Sequence, residues 1–415
     1  MMIRINKALM FLFLLLTVNA AFSGVDFSLY GLPAGITSIL DFVLKILVIF
    51  LLVVNFKINS RQLLVIIVSS VLLLTGMLSW SIYYGAEIAK VISFAFNLIL
   101  WIIIYVYAQS INDTVHTNTL IIKTLLYLMY VALALYILAY LGFNTKVLGS
   151  TWLYDDNFRF SGTFNEPSLC GFIAGLLFIY FLYAKNSRAK WFYVVSMVGI
   201  VLLTGAKFTI LILPVIIIAG LIARMSNSPY RLRFIFIIGS FIAFLLLPII
   251  SFPIFEYISL KMGESASMSF VTRFGFPITA LYQLADYPFG TGLLGYKSTL
   301  IPYINQYCSL FNKAYGICDE MASYTDLNDI IASQNFAPKD ILSYIVLSYG
   351  SIGLFVTFIL SIFLSMKTAG NNKLFSMYSY VVLSALFVLP FRFIFFIAIM
   401  ILITEYYNGK KEIRK

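Results

Sequence analysis

The chain has 415 residues, of which 61% are hydrophobic and only 11% charged, with a mean hydropathy of +0.97. No soluble core takes up that much apolar surface, and apolar runs of roughly 20 residues recur along the whole length, as bilayer-spanning helices require. Continuous runs exclude a transmembrane β-barrel, whose strands would alternate. The net charge of +11 is distributed by membrane side, so it reads as topology and contact with anionic lipids, not as a nucleic-acid footprint.

The pattern predicts an all-α integral membrane protein with about twelve transmembrane helices. They fall near residues 7–24, 36–54, 62–80, 88–108, 120–142, 168–184, 191–205, 208–223, 234–255, 341–365, 374–390 and 393–407. Residues 1–255 hold the first nine, with an outer loop at 143–167; residues 256–339 form a second outer loop; residues 340–415 hold the last three and a tail. At about eighty residues the second loop is too long to be a mere connector. Of the 28 Lys and Arg residues, 17 fall on one side, among them Arg61, Lys123, Arg231, Arg233, Lys367 and Lys373. The positive-inside rule makes that side the cytoplasm and places both termini there.

At the start, Arg4 and Lys7, a short apolar run and Val18-Asn19-Ala20 fit either an uncleaved first helix or a cleaved secretory signal. An uncleaved helix is the expectation. In the second span, Asp41 and Lys45 lie four apart and share a helix face, a spacing that suits structural neutralisation. The lone histidine, His116, falls on the cytoplasmic side.

The first outer loop ends in Arg159-Phe-Ser-Gly-Thr-Phe-Asn-Glu-Pro167. Gly162 allows a sharp turn and Pro167 suits the first turn of the next helix. Asn165 or Glu166 could simply cap that helix, and Arg159 could pair with Glu166. Alternatively, Arg159 offers a planar fork to a phosphate and Glu166 a general base. Asp155 and Asp156 are either further acids or solvated loop charges.

Trp191–Ala223 must cross the membrane and return in too few residues, with Thr204-Gly205-Ala206-Lys207 at its apex; Leu374–Tyr407 does the same around Pro390-Phe391-Arg392. Lys207 and Arg392 are thus held below the outer interface, either as functional cations or snorkelling to lipid phosphates. In the large loop, Arg273 reads as a phosphate contact or a salt bridge to Glu264 or Asp286. The tyrosines Tyr282, Tyr287, Tyr296, Tyr303, Tyr307, Tyr315 and Tyr324 either stack on sugars or anchor the segment at the interface. Cys308 and Cys318 could close a disulfide or stay as packed thiols.

Four stretches carry a resemblance: Arg159–Pro167, Leu202-Leu203-Thr204-Gly205-Ala206-Lys207, Arg273 with Asp286-Tyr287-Pro288-Phe289-Gly290-Thr291-Gly292, and Ser348-Tyr349-Gly350-Ser351-Ile352-Gly353-Leu354. In order and placement they resemble the bacterial O-antigen polymerase and ligase superfamily. Two departures matter. The family often has Ser-Arg where this chain has Ala206-Lys207, which keeps the cation and loses the fork. Ligases usually carry a histidine late in the large loop, where this chain reads Ser333-Gln334-Asn335-Phe336-Ala337-Pro338. That difference favours the polymerase.

The resemblance implies glycosyl transfer at the periplasmic face of the inner membrane. A growing glycan on undecaprenyl diphosphate would be the donor, and one lipid-linked repeat unit the acceptor. Fixed cations would stabilise charge on the departing diphosphate. Arg159 and Arg273 are the leading residues for this, Lys207 and Arg392 the secondary ones, and Glu166 the preferred base. No metal or other cofactor is expected if arginines take that role; a chain-length regulator and a flippase are the implied partners. A flippase itself, or a ligase, are the competing readings, and a flippase would spread its charges through the spans.

Overall fold

The computed structural model describes residues 11–12, 14–19, 36–54, 67, 83, 88, 114–141, 153–154, 159–160, 164, 167–184, 188–225, 229–246, 277–292, 295–300, 302–304, 306, 340–368, 371–387, 398, 401–402 and 405. Among them the fold is helical, with one two-residue antiparallel pairing. In chain order the elements are α1 (Ile36–Val54), α2 (Thr114–Tyr140), β1 (Leu153–Tyr154), β2 (Arg159–Phe160), α3 (Pro167–Leu182), α4 (Arg188–Thr204), α5 (Lys207–Met225), α6 (Pro229–Leu245), α7 (277–286), α8 (Tyr296–Thr299), α9 (Ile341–Thr368) and α10 (Asn372–Phe387).

Apolar run length and proline placement set many of these bounds. The second predicted span, 36–54, is helical throughout as α1, and Asp41 and Lys45 pair across 2.5 Å on its face. Pro167 opens α3 and Pro229 opens α6, where a missing N–H costs nothing. The ninth span differs: it was expected over 234–255, and the helix runs from Pro229 to Leu245. Its start moves back because Arg233, expected as a loop cation, is buried within the helix. The Arg233 guanidinium donates to Asn372 Oδ1 at 2.5 Å and lies 4.8 Å from the Phe375 ring.

Helix α3 is the axis of the bundle. It is buried without interruption from Pro167 to Ile179, as expected of a helix apolar on every face. α2, α4, α5 and α10 pack around it, and α6 and α9 close on α10. Phe172 of α3 stacks on Tyr380 of α10, with ring centroids 5.4 Å apart, and the Tyr380 hydroxyl donates to the Phe172 carbonyl at 3.0 Å. Gly175 makes room for that hydroxyl: a Cβ there would lie 2.7 Å from Tyr380 Cζ.

The outward faces are apolar too, including Phe42, Phe50, Leu211, Ile218, Ile235, Phe355 and Leu360. Exposed apolar surface of this extent belongs against lipid. Thr119–Leu138 and Ile341–Met366 are long and apolar enough to cross a membrane, and Pro167–Leu182, Ala189–Thr204, Thr209–Ile222 and Arg233–Leu245 are shorter apolar helices. Membrane association follows. The predicted spans at 62–80, 88–108 and 393–407 lie outside the described residues apart from isolated helical positions.

Candidate functional site

The four stretches singled out in the sequence meet in two pairs. The first meeting is at the start of α3. Phe164 is buried in the core just ahead of Pro167, so the chain is anchored as it turns into the helix. β2, which carries Arg159, packs against α3 and α4 and pairs with β1, Arg159 opposite Tyr154.

α4 ends where Gly205 adopts φ +56, the left-handed conformation that terminates helices. The Thr204 hydroxyl donates to Val201 O at 2.7 Å and accepts from the Ala206 amide at 3.3 Å. Lys207 is then the first residue of α5. This turn sits against α3 at Gly171, where a Cβ would lie 2.7 Å from Ala206 Cβ and 3.0 Å from Thr204 Oγ1. The Arg159 and Lys207 backbones therefore attach to the same helix, α3, at its strand and turn contacts.

The second meeting joins Asp286–Gly292 to α9. Inside α9, Gly350 adopts φ +62, ψ −145, a region essentially confined to glycine. The helix breaks there and its freed groups find partners in the preceding segment. The Thr291 and Gly292 amides donate to the carbonyls of Leu347 (2.9 Å) and Ser348 (3.0 Å). In exchange, Ser351 donates from both its amide (2.8 Å) and its hydroxyl (2.7 Å) to the Pro288 carbonyl. Side chains on Gly290 or Gly350 would prevent this approach: a Cβ on Gly290 would lie 2.5 Å from Ser348 C and O.

Around this backbone clasp lies a buried polar unit. The Gln283 amide donates to Thr299 Oγ1 at 2.9 Å and to Thr291 Oγ1 at 3.4 Å, and the Thr291 hydroxyl donates to Leu347 O at 3.2 Å. Tyr296 meets Tyr344 edge-on at 5.7 Å. Residues 277–304, expected as part of the large loop, thus contribute helices to the common core through Ile278, Ala280, Leu300 and Ile304.

Asp340 opens α9 with its carboxylate fully buried. Oδ1 accepts from the Ser343 amide at 2.6 Å, an N-cap, while Oδ2 has no hydrogen-bond partner among the described residues. Burial pushes this carboxyl up to about 7, against a smaller lowering by Ser343. Sequence reasoning passed over both Asp340 and Gln283. For Asp340 a signal existed, an Asp immediately before an apolar run; for Gln283 there was none.

Of the residues expected to act on substrate, Glu166, Arg273 and Arg392 lie outside the described residues, as do Asp155, Asp156, Cys308 and Cys318. Arg159 and Lys207 are placed by backbone. Among the described residues, no group of three His, Cys, Asp or Glu could hold a metal ion. At the other end of the bundle, Lys373, counted among the cytoplasmic cations, pairs with Glu405 and lies 3.7 Å from the Tyr180 ring centroid. Compared with family models, curated proteins and solved structures, the chain matches none.

Proposed function

We propose that this protein is a glycan polymerase of the inner membrane, extending an undecaprenyl-diphosphate-linked polysaccharide with lipid-linked repeat units at the periplasmic face. The observation that carries the reading is the pairing of the four stretches on which the family resemblance rests. Arg159–Pro167 and Leu202–Lys207 converge on α3, and Asp286–Gly292 joins Ser348–Leu354 through the clasp. Stretches far apart in the chain that pack together are what a shared site requires.

In this reading the fold has about twelve spans, cytoplasmic termini, and its periplasmic side at the outer loops. Arg159 and Arg273, aided by Lys207 and Arg392, hold the donor diphosphate and stabilise the charge it gains on leaving. The acceptor hydroxyl attacks the anomeric carbon, the bond to the diphosphate breaks, and the hydroxyl proton passes to a carboxylate, for which Glu166 is the candidate. A chain-length regulator and the flippase that delivers the repeat unit are the expected partners.

The test is the lipopolysaccharide banding pattern of a strain lacking the gene, with and without complementation. Core capped by a single repeat unit, restored to a ladder by the plasmid-borne gene, is the expected result. Bare core with no capped species removes the polymerase. Polymer retained on undecaprenyl diphosphate would then indicate a ligase, and its absence a flippase.

A further inference from the structure

We propose that Gly350 marks the plane at which α9 leaves the hydrocarbon, and that the turn clasped to it seats Tyr287 and Phe289 in the lipid headgroup layer. The first ground is length. α9 has 28 residues, about 42 Å at 1.5 Å per residue, against a hydrocarbon core of about 30 Å. From Ser351 to Thr368 it rises about 27 Å, one hydrocarbon thickness.

Burial changes at the same residue. From Ile341 to Gly350 only Ile345 and Tyr349 escape full burial. Beyond it, exposed residues come in pairs every four positions: Ser351 with Ile352, Phe355 with Val356, Ile359 with Leu360, Phe363 with Leu364. Steps of four drift slowly around a 3.6-residue helix, so these pairs form one winding stripe, all of it apolar below Ser351, and it suits acyl chains. The upper part is instead enclosed by the segment carrying Gln283, Thr291 and Tyr296.

The neighbouring helix α10 packs along α9, where the Tyr378 hydroxyl donates to Ser361 O at 2.8 Å.

The turn at this level is built for an interface. Its backbone is held by four hydrogen bonds to α9, while Phe289 is 60% exposed and has no place in the core. Tyr287 and Tyr303 meet edge-on at 6.5 Å, and the Tyr303 hydroxyl donates to Asp286 at 2.5 Å. Aromatic bodies with a polar rim are the side chains that settle between acyl chains and water.

This inference rests on the membrane reading alone and is independent of the proposed enzyme. It is tested with the full-length chain made cysteine-free (Cys170→Ala, Cys308→Ser, Cys318→Ser) in phosphatidylcholine–phosphatidylglycerol nanodiscs. Nitroxides placed by Phe289→Cys, Ile352→Cys or Phe355→Cys are measured by power saturation with oxygen and a nickel chelate. Labels at 289 and 352 are expected within a few ångströms of the headgroups, and that at 355 about 8 Å below Gly350. The Ile352→Cys label reports the same plane should Phe289→Cys fail to fold. A label at 289 as open to nickel as one in water, which is what a glycan-facing turn would give, overturns the proposal; so does one as deep as 355. Oxygen exclusion at 355 would remove the membrane reading, and the boundary with it.

Discussion

The Ser351 amide donates to the Pro288 carbonyl at 2.8 Å, in place of the bond it would make within its own helix. A straight α9 would pair Ser351 with Leu347, but the Leu347 carbonyl accepts from Thr291 instead. The helix gives up its own ladder at Gly350, and the preceding segment supplies partners to the Leu347 and Ser348 carbonyls and to the Ser351 amide, as buried backbone groups require. The clasp is thereby a shared element of loop and helix, and each depends on the other for its conformation.

Gly350→Ala forces a Cβ into a backbone region that only glycine occupies readily, at a cost of about 1–3 kcal/mol before any clash is counted. Gly290→Ala meets Ser348 at the same contact. Each is expected to lower the thermal unfolding midpoint, and the double variant to lose less than the sum, because both open one clasp. Full additivity in calorimetry of the reconstituted protein would contradict the clasp.

The Asp340 carboxyl, raised by burial to about 7 from 3.8, binds its proton more tightly folded than unfolded. Its contribution is present in full below about pH 4 and is lost as pH rises through about 7. Stability should fall between those limits by up to about 1.4 kcal/mol per pH unit. Asp340→Asn keeps the cap on Ser343 and should flatten this dependence, whereas Asp340→Ala should also cost about 1 kcal/mol from the lost cap. Unfolding midpoints at pH 5 and pH 8 for the three proteins decide it.

Gly175→Ala places a methyl against the Tyr380 ring and hydroxyl, and overpacking of this kind costs about 1–3 kcal/mol. Tyr380→Phe removes the hydroxyl and its bond to Phe172 O, about 1 kcal/mol. In the Tyr380→Phe background, Gly175→Ala should be milder but still destabilising, because the methyl still meets Cζ, 2.7 Å away. Equal penalties in both backgrounds, measured by thermal unfolding, would mean that the two helices move apart instead.

Arg159→Ala and Arg273→Ala are expected to abolish polymer in a complemented strain while the protein remains inserted. Near-normal chain lengths in both would remove these residues from the site. Lys207→Ala and Arg392→Ala should shorten the ladder without erasing it, as secondary contacts to a diphosphate do.

Much of the helical pattern was legible locally. The helical course of 36–54, the helix carrying Pro167 and the Asp41–Lys45 pair follow from apolar run length, proline placement and four-residue spacing, all of which act within one helix. The hydrophobicity that assigns the chain to a membrane is likewise a property of the sequence itself. Which stretches meet was not: the approach of Gly290 to Gly350 depends on two glycines sixty residues apart, and neither alone predicts it. Arg233 looked like a loop cation because charge marks a boundary when only hydropathy is read; Asn372 and the Phe375 ring are what let it lie inside. Asp340 carried a cap signal, but its burial comes from tertiary packing around the start of α9. A side chain's type and spacing fix what it can do along one helix, whereas its solvation, and with it its protonation, is decided by packing, which only the tertiary structure supplies.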